Sequence, residues 1–342
     1  MDSITQITLG AAIGEAVLGK KMGNKAMIWG GIGGTLPDLD VLFFPFLDSI
    51  DKLSFHRGAS HAFFFEMLFI PFLAYGVWRW YRDKSTADYK DWVLLFMGSI
   101  LTHPILDAFT TYGTQLWLPF SRERVAISSI FVADPLYTVP FLLCLIIASR
   151  FHRKSQKRRF INYLGLGLSS AYLLFTVVNK FHVNDKFEEA LQAQNITYTT
   201  DRLITSPTPL NNIMWYGLAE AEDGYYAGLY SLLDTKNAIE FKFIPRNENL
   251  IGELEETRAI KELKWFSKEY YTVEKKENGN LVFVDLRFGL ISGWNDGDKS
   301  VYPFFFNVLQ SANNTLEVVQ DRTMDFDVGK VWDDFIERVK GR

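Results

Sequence analysis

One cysteine stands in 342 residues, so the chain can form no internal disulfide and is not a small scaffold stapled by bridges. That cysteine, Cys144, lies in the apolar run from Phe141 to Ala148, where it serves as a small hydrophobe. No basic cluster interleaved with aromatic residues occurs, and the net charge is −4, so no nucleic-acid partner is expected. The start Met1-Asp2-Ser3 lacks the basic residues of a secretory signal, and the run Ile4 to Leu18 ends without an A-x-A cleavage site. Any insertion into a membrane would therefore use the helices of the chain itself. Disorder is excluded by the abundance of aromatic residues, 15% of the chain.

A mean hydropathy of −0.00 looks like that of a soluble protein, but the average hides two different parts. Up to residue 180 there are 18 Lys+Arg against 13 Asp+Glu, net +5; beyond it there are 18 against 27, net −9. In the first part the charges are squeezed between apolar runs. Ala62 to Tyr81, Trp92 to Tyr112, Ile127 to Ser149 and Phe160 to Asn179 each have the length of a membrane span, roughly 20 residues for about 30 Å of hydrocarbon. Two shorter runs precede them, Ile4 to Leu18 and Ala26 to Leu36. The first carries Gly10-Ala11-Ala12-Ile13-Gly14, a small-xxx-small pattern that lets helix backbones approach closely, and the second carries Gly30-Gly31-Ile32-Gly33-Gly34 before Pro37. Both are short for full spans and fit tilted or re-entrant helices as well.

The basic residues set an orientation. Lys20, Lys21 and Lys25, then Arg79, Arg82, Lys84 and Lys90, then Arg150, Arg153, Lys154, Lys157, Arg158 and Arg159 fall in alternate connections, which the positive-inside rule makes cytoplasmic. The connections Pro37 to His61 and Gly113 to Ala126 then face outward, with Arg122 and Arg124 as exceptions. The expectation is an all-α transmembrane bundle of about six helices over residues 1–182, both ends outside, followed by a small α+β soluble domain over 183–342. The protein would thus be a multi-pass cell-membrane protein whose partner is the lipid bilayer and whose second domain is extracytoplasmic.

That second part reads as strands at Ile196 to Thr200, Tyr225 to Leu232, Ala238 to Phe243 and Leu281 to Phe288, with a hairpin turn at Glu277-Asn278-Gly279-Asn280. Helices are expected over Leu250 to Trp265 and Val328 to Val339. Asp285 and Arg287 alternate along a strand and read as a solvated face. Asn195-Ile196-Thr197 and Asn313-Asn314-Thr315 match the glycosylation pattern, which short chance matches also produce. His152 and His182 read as surface residues.

Chemistry concentrates elsewhere. His56, His61 and His103 stand at the outer ends of the expected spans, at one depth with Asp38, Asp40, Asp107 and Asp134. The orientation rested on Lys and Arg only, so this coincidence is independent of it. An ionisable side chain near the hydrocarbon costs on the order of 3 kcal/mol and calls for a partner or a function. Imidazole and carboxylate are the ligands that Zn²⁺, Mn²⁺ and Fe²⁺ share, and a divalent ion, zinc first among them, is the expected cofactor. His103 and Asp107 are four apart and share a helix face. Asp38 and Asp40 follow Pro37 two apart, as an extended turn presents them. His56 and His61 are five apart and meet only if His56 lies in the loop and His61 at the start of the span. The expected metal ligands are Asp38, Asp40, His56, His61, His103 and Asp107. Asp40 or Asp134 serves as base and Arg57 clamps an anionic group. Helix capping for Asp107 or Asp134, and simple packing for His103, are the competing readings of each residue alone. Glu15 and Glu66 also lie in apolar runs, either supporting the site or reaching for the membrane surface.

Pro37-Asp38-Leu39-Asp40, His56-Arg57-Gly58-Ala59-Ser60-His61 and His103-Pro104-Ile105-Leu106-Asp107 together resemble the YdjM-like family of membrane-bound, metal-dependent hydrolases. The family shows a P-D-[IL]-D turn, an H-R-G-x-[ST]-H motif opening a span and an H-x-x-x-D pair in a later span, in this order. The likeness covers about residues 1 to 140 and implies an inner-membrane protein with a hydrolase-type metal centre. Many members carry a histidine early in the first helix, where this chain has Gln6. Some follow the aspartate turn with another histidine, where it has Val41. A second metal position would lack a ligand unless Glu15 supplied one. The leading expectation is metal-assisted hydrolysis at the outer face of the membrane, on a lipid-linked or amphiphilic substrate such as a phosphoester. A metal-binding bundle for transport or sensing, and an assembly factor working through the acidic domain, fit the same residues.

Overall fold

Asp2 opens the first helix, its carboxylate accepting from the amides of Ile4 and Thr5 in the capping position that satisfies otherwise unpaired donors. In this computed structural model, which describes residues 1–235, 239–291, 301–310, 316–320 and 328–342, a helical N-terminal region precedes a C-terminal β-sheet domain. Helix α1 (Ser3–Met22) turns at Gly23, whose φ of 60° suits glycine, into α2 (Asn24–Thr35). The small residues meet face to face. A Cβ added at Gly30 would stand 2.2 Å from the Gly10 carbonyl oxygen, and one at Gly14 would stand 2.2 Å from that of Ala26. The two helices therefore touch through their backbones, as the small-residue spacing predicts.

Pro37 starts a 3-10 helix (Pro37–Phe46), followed by α3 (Ser49–Phe55), a short 3-10 turn (Ala59–His61) and α4 (Phe63–Tyr81). Helix α5 (Tyr89–Ala108) opens on a capping box formed by Asp88 and Asp91. The next span starts later than expected. Residues 127–134 are not helical and α6 is Pro135–Ser149, because Asp134 caps it and the proline at its first turn disfavours helix before it. Helix α7 (Gln156–Ala193) instead runs beyond Asn179, with Val183, Phe187 and Ala190 buried against Trp215, Tyr230 and Ile239.

Among the described residues, α7 alone is long and apolar enough to cross a membrane by itself. Helix α4 reaches that standard jointly with the segment Ser49–His61 before it, from which it is bent by 54°. The 12 residues of α2 span about 18 Å, short of a hydrocarbon core. The helical region still presents apolar surface outward: Met67, Leu68 and Phe72 of α4, Leu136 and Leu143 of α6, and Leu164 and Leu168 of α7 are exposed. The ends of the helices sort by charge. Lys21 pairs with Asp91, Arg153 donates to the Lys21 carbonyl and Asn24 to that of Ser149, which brings together the basic connections. At the opposite ends Asp2 N–H meets the Val132 carbonyl and Phe63 N–H meets that of Leu116.

The chain forms two compact units, one of residues 1–45, 55–177 and 209–211, the other of residues 46–54, 178–208 and 212–342. The second holds two antiparallel meanders, β1 (Leu203–Pro207), β2 (Met214–Glu220), β3 (Gly224–Ser231) and β4 (Phe241–Pro245), then β5 (Tyr271–Lys275), β6 (Leu281–Asp285), β7 (Phe305–Gln310) and β8 (Leu316–Gln320). Tyr216, Leu218 and Tyr225 of the first sheet pack with Val282, Val284 and Leu286. Gly217 lies under the ring of Phe187, which leaves no room for a side chain. Residues 196–200 are not a strand, since the segment only leads from α7 to β1. The helix expected over Leu250 to Trp265 is two 3-10 turns followed by α8 (Arg258–Ser267), which starts at its Thr257 cap. The α9 helix is Val328–Val339. Ala238, at the start of the third expected strand, and Asn313-Asn314-Thr315 lie outside the described residues. Asp285 and Arg287 are not a solvated face. Both are buried, with Arg287 Nη2 2.6 Å from Asp285 Oδ2 and its guanidinium over the rings of Phe266 and Phe288.

Candidate metal centre

Three separate segments bring one ligand group together. Asp38 comes from the turn that Pro37 forces after α2, His61 from the 3-10 turn before α4, and His103 and Asp107 from one face of α5. One donor atom from each lies within 4.8 Å of all the others. His61 Nε2 and His103 Nε2 are 3.2 Å apart, each 3.4 Å from Asp38 Oδ1, and 3.6 and 3.7 Å from Asp107 Oδ2. A tetrahedral ion with ligands at about 2.0–2.2 Å has edges of about 3.3–3.6 Å; the separations 3.4, 3.4 and 3.6 Å match that size, and 3.2 and 3.7 Å lie just outside it.

The hydrogen bonds behind the histidines turn both Nε2 atoms toward the same point, where a cation could be held. His103 Nδ1 is 2.6 Å from the Gly34 carbonyl oxygen, which can only accept, so the proton is on Nδ1 and Nε2 carries the lone pair. The Ser60 hydroxyl donates to Asp40 Oδ2 at 3.0 Å and so accepts from His61 Nδ1 at 2.9 Å. Two imidazole Nε2 atoms and two carboxylate oxygens thus converge. Asp107 Oδ2 is fully buried and has no hydrogen-bond partner among the described residues, although the Arg57 Nε lies 2.9 Å away. The side chains of His61, His103 and Asp107 are 0% exposed, whereas Asp38 is 26% exposed and forms the open side. The residues present fit a divalent ion.

The other expected site residues stand around this group. Asp40 is a buried organiser: it accepts from the Arg57 amide, from Ser60 and from His56 Nδ1 at 3.1 Å, and its oxygens are outside the four-atom group. His56, expected as a ligand, turns its Nδ1 to Asp40, with its ring centre 5.9 Å from that of His61. Arg57, expected to clamp an anion, is buried, bonded to Thr110 Oγ1 at 3.0 Å and laid over Tyr112. Its φ of 58° is unusual for a side-chain-bearing residue, and its amide is held by Asp40 in that conformation. Asp134, expected as a base, caps α6 through Leu136 and Tyr137 and accepts from the Tyr172 hydroxyl, outside the group. Glu15 supplies no ligand because Arg158 holds both its oxygens at 2.5–2.6 Å. Gln6 reaches Asp107 Oδ1 at 3.0 Å, where its amide donates. Arg124, an exception to the charge rule, is buried against Tyr112 and donates to the Gly113 carbonyl.

Sequence reasoning missed the Gly34 carbonyl, Thr110 and the role of Ser60. A backbone carbonyl leaves no trace in residue type, whereas Ser60 sits between the two histidines of the motif and was legible there.

A family model described as YdjM inner membrane protein matches residues 1–183, the stretch that supplies all four donors. The chain belongs to this family. It is also similar to an uncharacterized protein, YfhP, of Bacillus subtilis (strain 168), at 23% identity over 321 residues covering 89% of each chain. No solved structure matches. Family membership is consistent with a membrane setting.

Proposed function

We propose that the protein is a membrane-bound, metal-dependent hydrolase that acts at the outer face of the membrane on an amphiphilic substrate. The observation that carries this reading is the asymmetry of the donor group, three fully buried ligands and one carboxylate at the open side. Catalytic metal sites hold their ion by about three protein ligands and keep one position for water or substrate. His61, His103 and Asp107 would hold the ion, with Asp38 at the reacting side to complete the shell or take the proton of the attacking water. The bound ion supplies a Lewis acid and a water acidified toward neutral pH. Asp40 through Ser60, and Gly34 through its carbonyl, keep both imidazoles in the tautomer that offers Nε2. Arg57 balances the charge of Asp107. Zinc suits two nitrogens and two oxygens at this spacing best, with Mn²⁺ or Fe²⁺ as the other ions such ligands accept.

The helical unit is proposed to lie in the membrane through α1, α2 and α4 to α7, crossing up to six times. The basic connections face the cytoplasm, and the metal group and the C-terminal domain face outward. Support comes from the apolar exterior, the segregation of the two sets of helix ends and the family. Labelling of Leu42→Cys in a Cys144→Ala chain by an impermeant thiol reagent added outside the cell tests the orientation. Labelling only from the cytoplasmic side would refute it.

A closed structural site is a second reading, favoured by five donor separations at or close to tetrahedral-edge lengths. Metal analysis of the purified protein and of His61→Ala decides whether an ion is held, and unchanged metal content would refute both readings. Cobalt substitution then separates them: a five-coordinate spectrum and metal-dependent hydrolysis of bis(p-nitrophenyl) phosphate are expected for the enzyme, a four-coordinate inert centre for the structural site.

A further inference from the structure

Glu66 sits in the first turn of α4, 4% exposed, and neither carboxylate oxygen has a hydrogen-bond partner among the described residues. A buried carboxyl group with no hydrogen-bond partner is destabilising by itself, and a ligand that brings a donor would relieve that cost. Glu66 lines a pocket of about 210 Å³ with Leu36, Phe65, Phe69 and Ile100, and with Pro37 and Ser60 at the inner wall. Pro37 and Ser60 are the chain neighbours of Asp38 and His61, and the Ser60 Oγ lies 2.9 Å from His61 Nδ1, so this part of the lining is shared with the surroundings of the metal group. Its outer wall is different in kind. Phe65 and Phe69 are exposed on the apolar exterior of α4, the surface that the proposed membrane placement would turn toward hydrocarbon.

We infer that this pocket binds the substrate as an amphiphile, with its hydrocarbon part against Leu36, Phe65, Phe69 and Ile100 and an N–H or O–H donor of its head on the Glu66 carboxylate. The inference names the substrate class of the site proposed above and rests on that reading. A head held by Glu66 would share the pocket with Pro37 and Ser60, the neighbours of Asp38 and His61. An apolar pocket without Glu66 would accept any lipid tail, whereas the buried acceptor selects heads that carry a donor.

The test uses full-length protein in neutral detergent and two probes of equal charge and chain, dodecylammonium and dodecyltrimethylammonium, of which only the first has N–H donors. Wild type should prefer the first by at least about tenfold in Kd, the effect of a single charge-assisted hydrogen bond. Glu66→Leu should abolish the preference, and Glu66→Gln, which keeps the shape, should reduce it to a few-fold. Equal binding of the two probes by wild type, or an undiminished preference in Glu66→Leu, would overturn the inference. Metal content measured on the same samples separates the two claims. Loss of metal in His61→Ala with the probe preference retained supports both, and a retained preference in a wild-type protein that holds no ion removes the metal reading alone.

Discussion

Replacing Gly30 by alanine should loosen the metal group without touching any ligand. The new Cβ would stand 2.2 Å from the Gly10 carbonyl oxygen and 2.9 Å from the Gly14 Cα, where ordinary contact begins at about 3.4 Å. Both obstacles are backbone, so α1 and α2 must part by about 1 Å. The Gly34 carbonyl, on α2, accepts from His103 Nδ1 at 2.6 Å, and a shift of about 1 Å along that line takes it to about 3.6 Å, past hydrogen-bonding distance. His103 then loses the partner that fixes its tautomer, and losses of this type lower metal affinity roughly 10–100-fold. The forced fit should also cost about 1–3 kcal/mol of stability. Zn²⁺ affinity by competition with a chromophoric chelator, and thermal unfolding of the full chain in detergent, measure the two effects. Gly76→Ala in α4 is the control, because its Cβ would meet nothing within 4 Å and should gain up to about 1 kcal/mol from better helix propensity. If Gly30→Ala kept wild-type affinity and stability, the coupling from helix contact to histidine would be wrong.

Three further outcomes follow from contacts elsewhere. Ser60→Ala removes the bridge from His61 Nδ1 to Asp40 and should weaken Zn²⁺ binding about 10–100-fold, more than His56→Ala, as the same chelator titration would show. Arg158→Met leaves Glu15 buried and unpaired and should cost about 3–5 kcal/mol in denaturant unfolding; the double change with Glu15→Leu should recover most of it. In the C-terminal domain, burial pushes the Asp234 carboxyl up, but hydrogen bonds from Arg338 and from the Ser231 and Arg342 amides outweigh it and hold it below the usual carboxylate range. Its contribution is therefore complete above the unfolded value near pH 4 and fades as pH falls through the folded value. Hydrogen exchange of the β3 amides should show Asp234→Asn less protected than wild type at pH 7, with the gap closing in acid.

The site was more legible in the sequence than the fold around it. His103 and Asp107 are four apart on one helix, and helical spacing alone puts them together. Asp38 and His61 were placed by assuming an outward loop, which the charge pattern supported. What misled was treating residue type as role. Asp40 and His56 belong to the same motifs as the four clustered donors, yet hydrogen bonding turned them to each other, and Arg57 was drawn inward by Asp107 and Tyr112. No local pattern distinguishes a ligand from the residue that orients one. The same holds for Asp285 and Arg287, whose alternation looked solvated because a strand register does not reveal a mutual ion pair. Among the helices, the error in α6 was avoidable, since Asp134-Pro135 is itself a start signal. The extension of α7 to Ala193 was hidden because its last turns are amphipathic and not uniformly apolar.

Residues 46–54, between the two aspartates of the turn and His56, belong to the same compact unit as the β-sheets, where Arg258 contacts Asp51 and lies 3.6 Å from Asp48. The boundary between the units is therefore crossed in the middle of the loop that carries Asp38 and His61. Cutting the gene after residue 182 would strip that nine-residue insertion of its surroundings and shorten α7 at the same stroke. Inactivity of such a truncated chain would report a damaged loop and not a catalytic domain removed. A cleaner dissection leaves the chain whole and nicks it by protease within 46–54, asking whether the ion stays bound once the two ends of the loop are freed from each other.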